Sequence, residues 1–91
     1  MKYLISFDVS NGRRRSALAK LCLSIGFRVQ KSVFESYMDG SGLDDFEAKA
    51  ESIIDPETDS VRVYPIDSNA DARIRIVGRG RRVECSAFKV F

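Results

Sequence analysis

Apolar and polar positions along the chain switch between a period of two and a period near 3.6, and the switches divide it into short elements. Residues 3–8, YLISFD, set Tyr3, Ile5 and Phe7 against Leu4, Ser6 and Asp8, which predicts a strand ending at an acid. Ser10-Asn11-Gly12 predicts a turn with two candidate helix N-caps. From Arg13 to Ile25 the apolar residues Leu18, Leu21, Cys22 and Ile25 fall at i, i+3, i+4 and i+7, the pattern of a one-faced helix, and Gly26 reads as its C′ stop. Residues 28–38, RVQKSVFESYM, are rich in β-branched and aromatic side chains but long for one strand. They predict a short strand near Arg28–Gln30, a bend or bulge at Lys31-Ser32, and a second strand from Val33 to Met38. A second helix is expected from Leu43 to Ile54, with Ser41 and Asp44 spaced as a capping box and Pro56 beyond its end. Val61–Ile66 reads as a strand whose Pro65 belongs at an edge or bulge. Arg73–Val77 is expected to pair with it, and Val83–Phe91 to form one more strand.

Strand–helix–strand–strand–helix–strand, with further C-terminal strands, is an α+β plait: two helices on one face of an antiparallel sheet. The opposite face would carry Tyr, Phe and Val with no third layer to cover it. Such a face, and a free terminal strand, ask for a second copy, so a homodimer is expected.

Length and composition narrow the chemistry. Ninety-one residues make one small domain, which buries only about 60–65% of its unfolded surface, so association is a natural supplement to its core. With 44% apolar and 31% charged residues, and apolar runs of only a few residues, the chain reads as globular and not membrane-spanning. MKYLISFD reaches an acid before a signal-peptide core could form, so a cytoplasmic location is expected. Cys22 and Cys85 offer neither a disulfide framework nor a CxxC pair. There is no histidine, which excludes Ser-His and Cys-His nucleophile pairs and histidine-based zinc sites.

The net charge of +2 conceals a segregation. Residues 1–32 hold seven cations and one anion, residues 33–60 one cation and nine anions, and residues 61–91 seven cations and three anions. Ten of the fifteen cations are arginine, the side chain suited to bidentate phosphate contacts. Basic ends around an acidic middle suggest a face for a polyanion, or else a solvated mixed surface.

Asp8 is the first candidate for chemistry, because ligand sites favour strand ends and the loops after them; it could equally cap the turn at Ser10–Gly12. Mg²⁺ takes one or two carboxylates plus water and phosphate, and a two-fold axis beside Asp8 would supply a second one. Arg13, Arg14 and Arg15 stand in the first turn of a helix, where they oppose the dipole, so they suggest an anion site or a solvated surface. Arg28 and Lys31 would extend that basic surface, as would Arg79, Arg81 and Arg82 around a glycine turn. Phe34, Tyr37 and Tyr64 suit either base stacking or core and dimer contacts. Cys22, on the apolar helix face, belongs to the core.

Three blocks carry a family resemblance. FDVS, then RRRSALAKLCLSIGFRVQKSVFE, then DSVRVYPI, resemble the small CRISPR-associated endoribonucleases of the spacer-acquisition module, over nearly the whole chain. The resemblance implies a ferredoxin-like βαββαβ domain over residues 1–78 and a C-terminal extension, 79–91, that adds a strand to the partner's sheet in a homodimer. It implies one Mg²⁺ per dimer, shared by the two Asp8 side chains, with Arg14 and Arg15 in nucleic-acid contact and Arg28 and Phe34 near the site. Phe7 stands where the family often has tyrosine. Two functions follow: a metal-dependent endonuclease acting on RNA or double-stranded DNA in antiviral defence, or a non-catalytic dimeric DNA-binding scaffold of the adaptation integrase. Acylphosphatases share the plait, but their phosphate cradle needs a glycine and an arginine where Lys31 and Ser36 stand.

Overall fold

β1 (Lys2–Asp8), α1 (Gly12–Ile25), β2 (Gly26–Gln30), β3 (Val33–Tyr37), α2 (Gly40–Ile53), β4 (Ser60–Ile66) and α3 (Ser68–Ala72) follow one another in the computed structural model, which describes residues 1–83. The sheet order is β2-β3-β1-β4, with every pairing antiparallel. This is the ferredoxin-like βαββαβ plait. The alternation in β1 decides which face is buried. Ile5 and Phe7 point into the helix layer and meet Phe34 of β3, Leu18 and Cys22 of α1, and Phe46 and Ala50 of α2. The Phe7 and Phe34 rings stack with centroids 5.9 Å apart. Burial in this layer pushes the Cys22 thiol up to about 12, so it is a core side chain with no thiolate chemistry.

Local chemistry sets most element ends. Asn11 caps α1, its side chain accepting from the Arg14 N–H at 3.0 Å. α1 then runs directly into β2. Gly26 is therefore not a left-handed stop: its φ is −168°, and glycine is needed because a Cβ would lie 2.3 Å from the Glu35 carbonyl oxygen. The bend at Lys31-Ser32 is present, with a register shift between Arg28 and Gln30. α2 begins earlier than the capping-box reading placed it, because Asp39 accepts from the Gly42 N–H at 2.7 Å and starts the helix ahead of Ser41. Pro65 lies on β4, at the sheet edge.

The C-terminal part departs most from the sequence reading. Arg73–Val77 is not a strand and does not pair with β4, whose partner is β1. Asp67 caps a short helix instead, accepting from the Ala70 N–H at 2.7 Å, and the chain after it runs without regular secondary structure to Val83. Residues 79–83 of the expected extension strand belong to that stretch; the remainder, with Cys85, lies outside the described residues.

α3 and the following stretch also supply a partial third layer that the sequence reading did not provide. They cover one end of the sheet face opposite α1 and α2, and at their centre is Lys2. Its ammonium is fully buried and meets Glu35 at 2.8 Å, Asp71 at 2.7 Å and the Val83 carbonyl at 2.9 Å. Tyr37 donates its hydroxyl to Asp71, and Arg82 reaches the same carboxylate at 3.4 Å. Lys2, one of the seven cations of residues 1–32, is thus an internal counter-ion.

Candidate functional site

The C-terminal end of β1 collects the chemistry. Asp8 ends the strand on the face away from the helices, directly opposite Ser60 of β4. Its carboxylate is exposed and has no hydrogen bond or ion pair among the described residues. The turn Lys31-Ser32 lies beside it, since the Phe7 N–H donates to the Ser32 carbonyl at 3.1 Å. Four residues after Asp8, α1 begins, so Arg13, Arg14 and Arg15 share this end of the plait. The sequence-predicted acid, the arginine run and Lys31 are brought to one edge by β1, the α1 start and the β2–β3 turn.

The arginines have different environments. Arg13 is exposed, with no hydrogen bond or ion pair among the described residues. The Arg14 guanidinium is engaged by Asp59, Nε to Oδ2 at 2.7 Å and Nη2 to Oδ1 at 3.4 Å. Arg15 donates from Nη1 to the carbonyls of Val9 at 3.2 Å and Ser10 at 3.1 Å. Arg28 is exposed but lies over the Phe34 ring, 5.2 Å from its centroid, on the helix side of the sheet. Phe34 is fully buried and Phe7 nearly so, which makes them core beneath the site and leaves neither ring available to a base. Tyr64 is exposed on the opposite face, as 43% of its surface remains open.

Asp59 and Arg62 were missed by sequence reasoning. Asp59 is a buried acid whose carboxylate also accepts from the Asp55 N–H at 2.9 Å and the Thr58 hydroxyl at 3.1 Å. Arg14 beside it, then the Asp55 amide, hold its carboxyl below the usual value of 3.8. A depressed carboxyl contributes stability that is present above 3.8 and lost as pH falls through the lower folded-state value. Asp59→Asn is therefore expected to lower the urea midpoint at pH 7 and to flatten its decline on acidification; an unchanged acid limb would contradict this. Arg62 sits opposite Ser6 and so shares the face of Asp8 one step along the sheet, its Nη1 3.3 Å from the Tyr64 hydroxyl. Period-two alternation from Ser60 was the signal for it.

The basic and acidic stretches do not occupy opposite faces. α1, with Arg13, Arg14, Arg15 and Lys20, packs beside α2, with Asp44, Asp45, Glu47 and Glu51, in one layer. The charge division runs across that layer.

The family model of CRISPR associated protein Cas2 matches residues 1–74. This chain belongs to the Cas2 family. A CRISPR-associated endoribonuclease Cas2 from Chloroflexus aurantiacus is 39% identical over 77 residues, covering 85% of this chain and 83% of the relative. A CRISPR-associated endonuclease Cas2 from Thermus thermophilus is 41% identical over 64 residues, covering 70% and 71%. Among solved structures, Streptococcus pyogenes Cas2 superposes with a TM-score of 0.77 at 35% identity, covering 86% of this chain and all of that one. A chain of a partial Cas6-RT-Cas1–Cas2 complex superposes with a TM-score of 0.72 at 30% identity, covering 84% and 83%.

In this Cas2-family chain the carboxylate at the end of β1, Asp8, is exposed and unpaired among the described residues. Among the described residues no three His, Cys, Asp or Glu side chains gather closely enough to hold a metal ion. An exposed, unpaired carboxylate nonetheless suits a hard cation that takes one or two carboxylates and fills its remaining positions with water and phosphate. Also among the described residues, no helix is long and apolar enough to cross a membrane.

Proposed function

We propose that this chain acts in the cytoplasm as a homodimeric, Mg²⁺-dependent endonuclease of the CRISPR spacer-acquisition system, hydrolysing RNA or double-stranded DNA. The observation that carries this reading is Asp8, an exposed carboxylate without a partner among the described residues at the end of β1, next to Arg13 and Lys31. Asp8 is the metal ligand and catalytic residue, with the two copies sharing one ion. Bound there, Mg²⁺ would supply an activated water and charge compensation at the phosphate. Arg13, Lys31 and Arg28 are exposed and hold flanking phosphates, with Arg14 and Arg15 adjoining them. Dimerisation is supported by the outer edge of β4, which has no strand partner among the described residues, and by exposed Tyr64 beside it.

A second reading is a non-catalytic DNA-binding scaffold of the adaptation integrase, supported by the similarity to a chain of a complex that names Cas1 and Cas2 together. Both readings use the basic edge, and only the first uses Asp8. Asp8→Ala separates them. Under the enzyme reading, Mg²⁺-dependent hydrolysis by the purified protein falls about a hundredfold or more. Under the scaffold reading, integrase-dependent spacer insertion survives the same substitution. Hydrolysis that persists undiminished removes Asp8 from the mechanism.

A further inference from the structure

The arginine run at the start of α1 divides into three different jobs. We propose that Arg15 is a positioning residue for Asp8, secured by the Arg14–Asp59 pair, and that Arg13 alone of the three is a phosphate contact. This rests on the endonuclease reading only in taking Asp8 as the group positioned.

One nitrogen of Arg15 donates to the carbonyls of Val9 and Ser10, the two residues directly after Asp8. Those carbonyls belong to the linker between β1 and the Asn11 cap, where no strand ladder or helix ladder satisfies them. Val9 is buried in the core, and the Phe7 N–H is bonded to Ser32. Asp8 is thus bracketed by a fixed residue on either side, and Arg15 completes the bracket on the linker side. Its guanidinium lies along the same turn, with Nη2 3.7 Å from where a Cβ on Gly12 would sit. Arg14 ties the first turn of α1 to Asp59 ahead of β4, the strand whose first residue, Ser60, pairs with Asp8. The two contacts fix the helix start, the linker and the neighbouring strand as one unit.

The same arrangement explains why three cations are tolerated where the helix dipole opposes them. Asp59 offsets Arg14 and two carbonyl dipoles offset Arg15, whereas Arg13 has no such compensation among the described residues. A guanidinium committed to two carbonyls has to surrender them before it can grip phosphate, while Arg13 surrenders nothing.

The test compares Arg13→Gln, Arg15→Gln and Arg15→Lys in the full chain. Its readouts are binding to a synthetic DNA duplex over a salt series, amide exchange at Phe7 and Arg14, whose N–H groups are bonded on either side of the linker, and Mg²⁺-dependent hydrolysis resolved into kcat and KM. Each phosphate contact contributes about 0.9 to the slope of log K against log salt. Arg13→Gln is expected to reduce that slope by about one and leave exchange at these two amides unchanged. Arg15→Gln is expected to leave the slope unchanged, speed exchange at these two amides about tenfold, and lower kcat about tenfold or more at constant KM. Arg15→Lys, able to reach one carbonyl, restores part of both. A slope reduced by about one in Arg15→Gln with exchange unchanged overturns the proposal, and so does the same result in Arg15→Lys if the glutamine variant folds poorly. If Asp8→Ala leaves hydrolysis intact, the endonuclease reading fails, yet the slope and exchange measurements still decide the role of Arg15.

Discussion

Lys2→Met is expected to destabilise the fold by about 3–5 kcal/mol, the scale on which removing one partner from a buried ion pair acts. The side chain is fully buried, and its ammonium lies 2.8 Å from Glu35 and 2.7 Å from Asp71. Methionine fills a similar volume, so the loss is electrostatic: two largely buried carboxylates are left facing each other, with Arg82 at 3.4 Å as their remaining cation. At fixed protein concentration the urea midpoint should fall accordingly, and exchange in residues 68–83 should rise first, because Lys2 also holds the Val83 carbonyl at 2.9 Å. Combining Lys2→Met with Glu35→Gln and Asp71→Asn should recover most of the loss, since no uncompensated charge then remains. A single-variant loss below about 1 kcal/mol would mean that the cluster is effectively solvated.

The pH limits of this cluster have opposite signs. Burial works to lower the Lys2 ammonium, but hydrogen bonds to Asp71 and Glu35 outweigh it and leave it raised above 10.5. That contribution is complete below 10.5 and fades as pH rises through the higher folded-state value. For Asp71, burial works to raise the carboxyl, while bonds from Lys2 and Tyr37 leave it below 3.8, so its contribution is complete above 3.8 and fades on acidification. In Lys2→Met both declines should therefore flatten, so that its deficit against wild type is largest between the two values and narrows towards either end.

How legible these features were depends on how local their causes are. The two long helices and four strands announce themselves through periodicity and caps: Ile5 and Phe7 alternate, and Leu18 and Cys22 repeat at helical spacing. α3 has five residues, too few for a period to show, and the stretch directly after it read through its β-branched Ile74, Ile76 and Val77 as a strand. Lys2 near the N-terminus looked like any surface cation because its partners are 33 and 69 positions away, and only the sheet order brings β3 and α3 beneath it. Asp59 was hidden likewise, as its partner Arg14 is 45 residues distant. Gly26 was recognised as necessary but for the wrong reason, since a Cβ there meets the backbone of β3 and the sequence does not show that Gly26 itself lies in a strand paired with it. Asp8 was legible because its position at a strand end is local; its freedom from partners was not, because two of the nearby arginines are committed elsewhere, Arg14 to Asp59 and Arg15 to the Val9 and Ser10 carbonyls.

That last point sets the second large effect. Asp59 is engaged by Arg14, Glu35 and Asp71 by Lys2, and the residue paired with Asp8 is Ser60, so none of these three acids is free to join Asp8. If the site takes two carboxylates, the other comes from a second copy, as a closed two-fold interface allows. Heterodimers that carry wild-type chain and Asp8→Ala, isolated with two different tags, are then expected to be nearly as inactive as the Asp8→Ala homodimer. Subunits mixed and re-equilibrated in equal amounts should retain about a quarter of wild-type hydrolysis, the statistical share of dimers with both carboxylates. Raising Mg²⁺ should recover part of the heterodimer's activity, because one carboxylate with water can still hold the ion more weakly. If each chain worked alone, the heterodimer would show about half of wild-type activity and the equal mixture about half as well. That result would assign hydrolysis to a single-carboxylate site and leave dimerisation to serve only the basic edge.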